Sequence, residues 1–186
     1  MIRSGEVAAI PTDTVYGLAT LATNEAAIGA LVEVKGRASD QPIAVLFDRI
    51  EDIAPYLEDS TVLEQVARHW PGALTAVVTA RADAGFVAPV VTEAGTIGIR
   101  QPDDELARAV LRGCGGLLAV SSANRHGGAP ALGTAEVASV FGEALPVLDG
   151  GTRDGGVAST VVDLTSRPPR VLRAGPIGPG ELGIED

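Results

Sequence analysis

Four cationic side chains stand at the ends of segments that the sequence predicts to be helices or strands. Lys35 and Arg37 flank a glycine after a helical pattern, and Arg100 and Arg173 end short β-branched runs. The chain as a whole is acidic, with a net charge of −10. One close contact between a cation and a phosphate oxygen is worth up to ~4 kcal/mol before desolvation, and Arg adds bidentate geometry. These residues together predict a pocket that binds a polyanion.

The Lys35-Gly36-Arg37 group also has a simpler interpretation. Cations at a helix C-terminus complement the helix dipole, so they need not bind a ligand. However, Lys35 continues the apolar face formed by Ile28 and Leu31, which aims its ammonium along the buried side of the helix. On the residues alone, a phosphate clamp and a favourable helix end both stay open.

Small polar side chains follow two of the predicted strands. Thr12, Asp13 and Thr14 come directly after an apolar strand that ends at Ile10. Residues 121–124 read Ser-Ser-Ala-Asn and lead into a glycine-rich loop, whose backbone N–H groups suit an anion. Side chains at strand ends are well placed to line a pocket. An ordinary turn, in which Thr and Asp bond their own backbone, explains the first group equally well.

The elements that must position these residues follow from the spacing of apolar side chains. Strands are predicted at Val7–Ile10, Ile43–Phe47, Leu74–Thr79, Thr96–Ile99, Leu117–Val120, Pro146–Leu148, Thr160–Leu164 and Val171–Leu172. Helices are predicted to begin at Asn24, Asp48, Thr61, Asp103 or Asp104, and Thr134. Alternating strands and helices predict an α/β (α+β) fold with a mixed sheet, in a single domain that spans residues 1–186.

The bulk composition argues against several classes of function. Cys114 is the only cysteine and there are two histidines, so neither a disulfide nor a cysteine- or histidine-rich metal site is expected. No apolar run approaches the ~20 residues that span a bilayer, and no signal-peptide pattern is present. We therefore expect a cytoplasmic protein without membrane contact. The acidic balance argues against sequence-independent binding to duplex nucleic acid, which rests on many Lys and Arg contacts.

The common nucleotide and nucleophile motifs are missing. The chain has no Gly-x-x-x-x-Gly-Lys-Ser/Thr loop, no Gly-x-Gly-x-x-Gly after the first strand and no Gly-x-Ser-x-Gly elbow. A covalent nucleophile is therefore not indicated. If the chain is an enzyme, we expect it to position bound reactants and to neutralise developing charge.

An ordered set of motifs resembles the YrdC-like family of threonylcarbamoyl-AMP synthases, in its short single-domain form. The motifs are Pro11-Thr12-Asp13-Thr14-Val15-Tyr16-Gly17-Leu18, Lys35-Gly36-Arg37, Trp70-Pro71-Gly72-x-Leu74-Thr75, Arg100-x-Pro102, Ser121-Ser122-Ala123-Asn124, Ser159-Thr160-Val161-Val162-Asp163 and Arg173-x-Gly175. They run from residue 11 to residue 175, nearly the whole chain. The resemblance implies a twisted mixed β-sheet flanked by helices, with a central basic cavity.

The resemblance also implies a reaction. L-Threonine, bicarbonate and ATP would give threonylcarbamoyl-AMP and pyrophosphate, so the enzyme would be a nucleotidyltransferase. Downstream transfer enzymes would use the product for the N6-threonylcarbamoyladenosine modification of tRNA, and the resemblance leaves a weak direct contact with RNA open. Mg²⁺ would arrive with ATP rather than on protein ligands, and no organic cofactor is implied.

The same resemblance assigns roles to individual residues. Lys35 and Arg37 would be catalytic. The ATP-binding residues would be Lys35, Arg37, Ser122, Asn124, Ser159 and Arg173. The threonine-binding residues would be Thr12, Thr14, Tyr16, Arg100 and Thr160. Four positions depart from the family pattern: Ala38 replaces a usual Pro, Asp104 a frequent His and His126 a usual Ser, and Leu46 occupies a place where some members carry a threonine-contacting His.

Two other functions compete with the synthase. One is an RNA-binding module of the same fold, which the acidic balance of the chain disfavours. The other is a domain that forms carbamoyl-adenylate from carbamoyl phosphate. Such domains sit in much longer chains with zinc-finger-like cysteine motifs, which the single cysteine of this sequence does not match.

Overall fold

The structure, a computed structural model, describes residues 1–36, 42–125, 127–154 and 156–184. Within these ranges, eight strands join in a single sheet. In chain order they are β1 Ala8–Ile10, β2 Gly17–Thr20, β3 Ala44–Phe47, β4 Leu74–Thr79, β5 Thr96–Arg100, β6 Leu117–Ser122, β7 Thr160–Asp163 and β8 Arg170–Arg173. Their spatial order is β1-β2-β6-β3-β5-β4-β7-β8. The β3–β5 and β4–β7 pairs are parallel and the others antiparallel, which confirms the predicted mixed sheet.

Helices connect the strands and cover the sheet. Those in the described ranges are α1 Glu25–Lys35, α2 Ile50–Ile53, α3 Glu105–Gly113, α4 Thr134–Phe141 and α5 Pro179–Leu182. Asn24 caps α1 by accepting from the Ala27 N–H, as the sequence predicts. Of the two candidates Asp103 and Asp104, it is Asp104 that caps α3, by accepting from the Ala107 N–H. None of the described helices has the length and hydropathy of a membrane span.

One face of the sheet packs on the main core. Successive side chains of a strand point to opposite faces, so one set of alternate residues from each strand lies there. This set is apolar and almost fully buried, and helix α1 packs on it through Ile28 and Leu31. Representative members of the set are Leu18, Val45, Ala76, Ile99, Ala119 and Val162.

The opposite face is divided into a covered part and an open part. Leu111 of α3 packs on Ala19, Leu46 and Leu118 at the β1–β2–β6–β3 end. Further across the sheet, Gly98 pairs with Val77 and presents no side chain. The small side chains at the centre of this face leave room above the strands. That room forms the floor of the cavity described below.

The observed strands differ from the predicted ones in two places. Strand β2 was not predicted, yet Gly17–Thr20 pairs with both β1 and β6. The predicted strand Pro146–Leu148 is wrong, because this segment meets β1 only at Ala9. There, the Ala9 N–H donates to the Pro146 carbonyl, and the Ala9 carbonyl accepts from the Leu148 N–H.

Two predicted helix starts are also wrong, because their capping side chains are bound elsewhere. The Asp48 carboxylate accepts hydrogen bonds from Arg108 and Arg112, so α2 begins two residues later. The Thr61 hydroxyl donates to Asp59, and short 3₁₀ turns at residues 61–65 and 67–69 replace the expected α-helix.

Gly175 allows the closest approach between the end of β8 and the chain entering β7. A Cβ built at Gly175 would meet the Thr160 backbone nitrogen and would lie 2.7 Å from the Ala158 carbonyl oxygen. Backbone atoms yield little, and the Thr160 N–H is held by the Ala73 carbonyl. Gly175 therefore sets the distance between Arg173 and Ser159 on the two neighbouring segments.

We predict that Gly175→Ala destabilises the protein by about 1–3 kcal/mol, as overpacking typically does. The matched control is Gly113→Ala in α3, where an added Cβ meets nothing within 4 Å. That control should be neutral or more stable by about 0.5–1 kcal/mol. Urea unfolding of both variants measures the difference, and equal midpoints would contradict the packing argument.

Candidate active site

A cavity of about 720 Å³ lies above the open face of the sheet. Its floor comes from alternate residues of the central strands, and its walls come from the loops at strand ends. Polar or charged side chains in its lining are Thr12, Thr14, Lys35, Thr75, Thr92, Thr96, Arg100, Ser121, Ser122, Asn124, Ser159 and Arg173. The apolar part of the lining includes Ala44, Leu46, Val77, Val120, Val161 and Leu172. A volume of this size suits a small-molecule ligand or cofactor.

The turn after β1 places two threonines at the cavity wall. The Thr12 hydroxyl donates to the Val15 carbonyl (2.7 Å) and accepts weakly from the Thr14 and Val15 N–H groups (3.3 Å each). It also lies 3.1 Å from the Thr14 hydroxyl. Thr12 thus closes its own turn, the simpler of the two sequence interpretations, while both threonines still face the cavity.

Arg100, the last residue of β5, lines the cavity. Its guanidinium donates to the Gly72 carbonyl (3.0 Å), the Thr14 hydroxyl (3.0 Å) and the Asp13 carboxylate (2.6 Å). Only 7% of the Arg100 side chain and 15% of the Asp13 side chain are exposed. A buried pair of this kind has to be kept intact, because removing one partner leaves an uncompensated charge.

Arg173 stands at the rim of the cavity, on edge strand β8. Its guanidinium donates twice to the Ser159 carbonyl (3.1 and 2.8 Å) and once to the Ser159 hydroxyl (3.2 Å). The Ser159 hydroxyl also lies 2.8 Å from the hydroxyl of Thr75 on β4. Arg173, Ser159 and Thr75 form one connected polar wall.

The electrostatics of the two arginines favour an anionic ligand. Burial lowers the pKa of Arg100, while the neighbouring Asp13 carboxylate opposes that shift. Burial also lowers the pKa of Arg173, and repulsion from Arg100 adds to the effect. Both guanidinium groups stay charged at neutral pH, because Arg does not lose its proton in proteins. An anion bound between them would relieve the repulsion.

Lys35 approaches the cavity from the C-terminal end of α1 and is 4% exposed. Its ammonium donates to the Ser122 carbonyl (2.5 Å), the Asn124 side-chain oxygen (3.0 Å) and the Ser122 hydroxyl (3.2 Å). The Asn124 amide group is itself held by the Arg125 and Gly128 carbonyls. Lys35 is the only lysine of the sequence, and it stands within the cavity lining.

Two residues of the predicted site are buried behind the lining. The Tyr16 hydroxyl donates to the Gly151 carbonyl (2.9 Å) and accepts from the Gly150 N–H (3.0 Å). The Thr160 hydroxyl donates to the Ile177 carbonyl and accepts from its N–H. Both side chains are fully buried, so their direct contact with threonine stays a prediction. Their observed contacts are with loops behind the cavity wall.

The other predicted site residues that the structure describes do meet around the cavity: Thr12, Thr14, Lys35, Arg100, Ser122, Asn124, Ser159 and Arg173. Arg37 lies outside the described residues, as do the sequence departures Ala38 and His126. Asp104, another departure, caps α3 through one carboxylate oxygen and pairs with Arg153 through the other (2.7 Å).

Sequence reasoning missed part of the lining. Thr92 and Thr96 lie on the cavity side with their hydroxyls 2.7 Å apart. Thr96, Gly98 and Arg100 are alternate residues of β5. Because side chains of a strand alternate between its faces, these three lie on one face. That signal was present in the sequence. Thr92 carries no such signal, because it lies in a loop.

Comparisons with known proteins show the family to which the chain belongs. Residues 1–175 match the family model of the Sua5/YciO/YrdC proteins, which is described as "Telomere recombination". A Mycobacterium tuberculosis protein is 37% identical over 180 residues, covering 95% of this chain and 81% of its own. The threonylcarbamoyl-AMP synthase of Bacillus subtilis is 39% identical over 184 residues, covering 95% of this chain but only 52% of its own.

A solved structure shows the same fold. Sua5 of Pyrococcus abyssi, crystallised in complex with L-threonine, superposes with a TM-score of 0.86 at 31% sequence identity. The match covers 97% of this chain and 54% of that protein, so the present chain spans about half the length of this relative.

We predict that inorganic tripolyphosphate, a polyanion without a nucleoside, binds between the two cavity arginines. A ligand that binds only the folded state raises the melting temperature by mass action. The wild type should therefore melt at a higher temperature with added tripolyphosphate, and Arg173→Met should lose most of that increase. Arg170→Met, which removes a cation of the same strand that pairs with Asp163, is the matched control. If both variants lose the increase in melting temperature equally, tripolyphosphate binds by non-specific electrostatic attraction, which would contradict the prediction.

Proposed function

Because the chain belongs to the Sua5/YciO/YrdC family, we propose that it is an L-threonylcarbamoyladenylate synthase. The reaction joins L-threonine, bicarbonate and ATP to give threonylcarbamoyl-AMP and pyrophosphate, which makes the enzyme a nucleotidyltransferase. Relatives that bear the name threonylcarbamoyl-AMP synthase and the threonine complex of a structural neighbour support this proposal.

The observation that carries the proposal is the arrangement of cations around one cavity. Lys35 enters from α1, Arg100 from β5 and Arg173 from β8, and all three line the same space. A triphosphate that loses pyrophosphate needs several cations, because charge develops on the phosphate oxygens in the transition state. Arg100 uses three of its five N–H donors in the contacts described above. The remaining donors suit an additional anionic group.

The proposed chemistry has two steps. The amine of threonine attacks the carbon of bicarbonate, and a carbamate forms with loss of water. A carbamate oxygen then attacks the α-phosphorus of ATP, the bond from that phosphorus to the bridging oxygen breaks, and pyrophosphate leaves. Neither step needs a side-chain nucleophile, which agrees with the absence of such a motif from the sequence.

The protein contributes positioning and charge. Lys35, Ser122 and Asn124 form a connected group at one end of the cavity, and we assign them to ATP, together with Ser159 and Arg173 at the rim. Thr12, Thr14 and Arg100 form another connected group, and we assign them to threonine. Holding the carbamate in line with the α-phosphorus turns a meeting of separate molecules into a reaction within one complex. Arg37 retains its predicted role in phosphate binding and catalysis.

The residues present fit Mg²⁺ that is carried by the nucleotide. Among the described residues, no group of three or more His, Cys, Asp or Glu side chains could form a metal cage. Mg²⁺ usually keeps several waters and binds to substrate phosphates with few protein ligands. When bound, the ion would neutralise charge on the phosphates, while the orientation of the substrates would come from the side chains named above.

The product would be handed to enzymes that transfer the threonylcarbamoyl group to tRNA. Those partners, and any direct contact of this chain with RNA, belong to the proposal rather than to the observed contacts. The cytoplasmic location stays a prediction from the sequence.

The proposed function predicts pyrophosphate release that requires threonine and bicarbonate together. Release without threonine, or with any amino acid in its place, would contradict it. Release that depends on carbamoyl phosphate instead would favour the carbamoyl-adenylate alternative. Tight, steeply salt-dependent RNA binding without turnover would favour the RNA-binding alternative.

Lys35→Met should lower the rate of pyrophosphate release by about 10²–10³-fold, the usual cost of removing one donor that stabilises transition-state charge. Arg3→Met, which removes one positive charge from an exposed residue outside the cavity lining, should leave the rate unchanged. Circular dichroism of both variants checks that the fold is retained. Unchanged turnover in a folded Lys35→Met protein would overturn the assignment of the cavity.

A further inference from the structure

A short segment outside the cavity, residues 149–153, crosses behind the turn that carries Thr12 and Thr14. We call this segment the strap. Tyr16 anchors it, since the Tyr16 hydroxyl accepts from the Gly150 N–H and donates to the Gly151 carbonyl. Both bonds join a fully buried side chain to the backbone of the strap. The backbone of the two glycines is therefore attached to the turn through Tyr16.

Arg153 makes a second attachment. Its guanidinium donates to the Asp104 carboxylate (2.7 Å), to the Gly150 carbonyl within the strap and, at 3.5 Å, to the Thr12 carbonyl. The side chains of Arg153 and Asp104 are 17% and 11% exposed. The backbone N–H of Arg153 also donates to the Leu132 carbonyl. One arginine thus connects the strap, the turn and the start of α3.

The packing against Pro11 shows how closely the strap follows the turn. A Cβ added to Gly150 would lie 2.6 Å from the Pro11 Cγ and 2.8 Å from its Cβ. Only a glycine lets the backbone approach the first residue of the turn at this distance. The strap is therefore in direct contact with the turn at Gly150.

The turn is held from two opposite sides. From inside the cavity, Arg100 binds Thr14 and Asp13. From outside, the strap holds the Thr12 carbonyl, Pro11 and Tyr16. None of the side chains of Arg153, Asp104 and Tyr16 lines the cavity, and Arg153 and Tyr16 connect the turn with the strap behind it.

We propose that Arg153 is a positioning residue for threonine. Through its ion pair with Asp104, and together with Tyr16, it places the turn so that Thr12 and Thr14 face the amino-acid substrate. This inference rests on the proposed function, because it assigns the threonine end of the cavity to that turn. The ATP end depends on other elements, since Lys35 on α1 is held by the loop after β6.

The kinetic test uses Arg153→Met, which keeps the length of the side chain and removes its charge and hydrogen bonds. We expect the KM for threonine to rise by about 10-fold or more, since small misplacements of a binding group cost this much. The KM for ATP should change much less. Arg153→Lys, which restores the charge, should recover part of the affinity. Arg81→Met, which breaks an exposed ion pair with Asp83, is the matched control and should behave as wild type.

Two further variants separate positioning from simple loss of stability. Asp104→Asn retains an oxygen that can cap α3 but removes the charge that pairs with Arg153. It should raise the KM for threonine in the same way and should add little to Arg153→Met in the double variant, because both changes break one interaction. Tyr16→Phe removes the acceptor of the Gly150 N–H, so hydrogen exchange at Gly150 should accelerate without added substrate.

Different results would overturn the positioning role of Arg153 and the proposed function. If Arg153→Met and Asp104→Asn leave the KM for threonine unchanged, or raise the KM values for ATP and threonine equally, the positioning role is overturned. Fully additive effects of the two changes would also overturn it. If the wild type has no threonine-dependent activity, the proposed function fails. Hydrogen exchange in residues 12–16 of Arg153→Met then still tests whether the strap holds the turn, because that measurement needs no substrate.

Discussion

The contact between Arg100 and the turn after β1 is the interaction on which the rest of the site depends. The Arg100 guanidinium binds Asp13, Thr14 and Gly72, which come from two separate segments of the chain. Because the pair with Asp13 is largely buried, losing either charge would cost about 3–5 kcal/mol. The same guanidinium faces the cavity and repels Arg173. One side chain therefore closes the turn, supports the cavity wall and supplies part of its positive charge.

The cavity itself follows from the alternation of side chains along the strands. One face of the sheet carries the larger apolar residues that pack on the helices, and the other carries small or polar residues at its centre. Gly98 is the clearest case, because any side chain at that position would point into the ligand space. The acidic surface and the basic interior thus coexist, since the cations are placed at strand and helix ends that open on this one face.

The turn, the strap and the loop after β6 together form a layer that supports the cavity wall. Each of them is kept in place by hydrogen bonds to another of the three. Ala123 donates its N–H to the Tyr16 carbonyl, which joins the Lys35 side of the cavity to the turn after β1. Tyr16 and Asp104 are placed by the structure in this supporting layer. For Asp104 this explains how an aspartate serves at the position: it caps α3 and binds Arg153 at the same time.

The sequence by itself determined the mixed sheet, most strand positions, the cap at Asn24, a helix start at Asp103 or Asp104, and the cavity residues with charged or hydroxyl side chains at strand ends. Local signals suffice for these features, because periodicity and capping act between residues that are close in the chain. Only the tertiary structure decided that Tyr16 and Thr160 bind loops behind the wall and that Asp48 pairs with arginines of α3. In each of these cases the partner of the side chain is distant in the sequence. The spacing of neighbouring residues therefore cannot predict the contact.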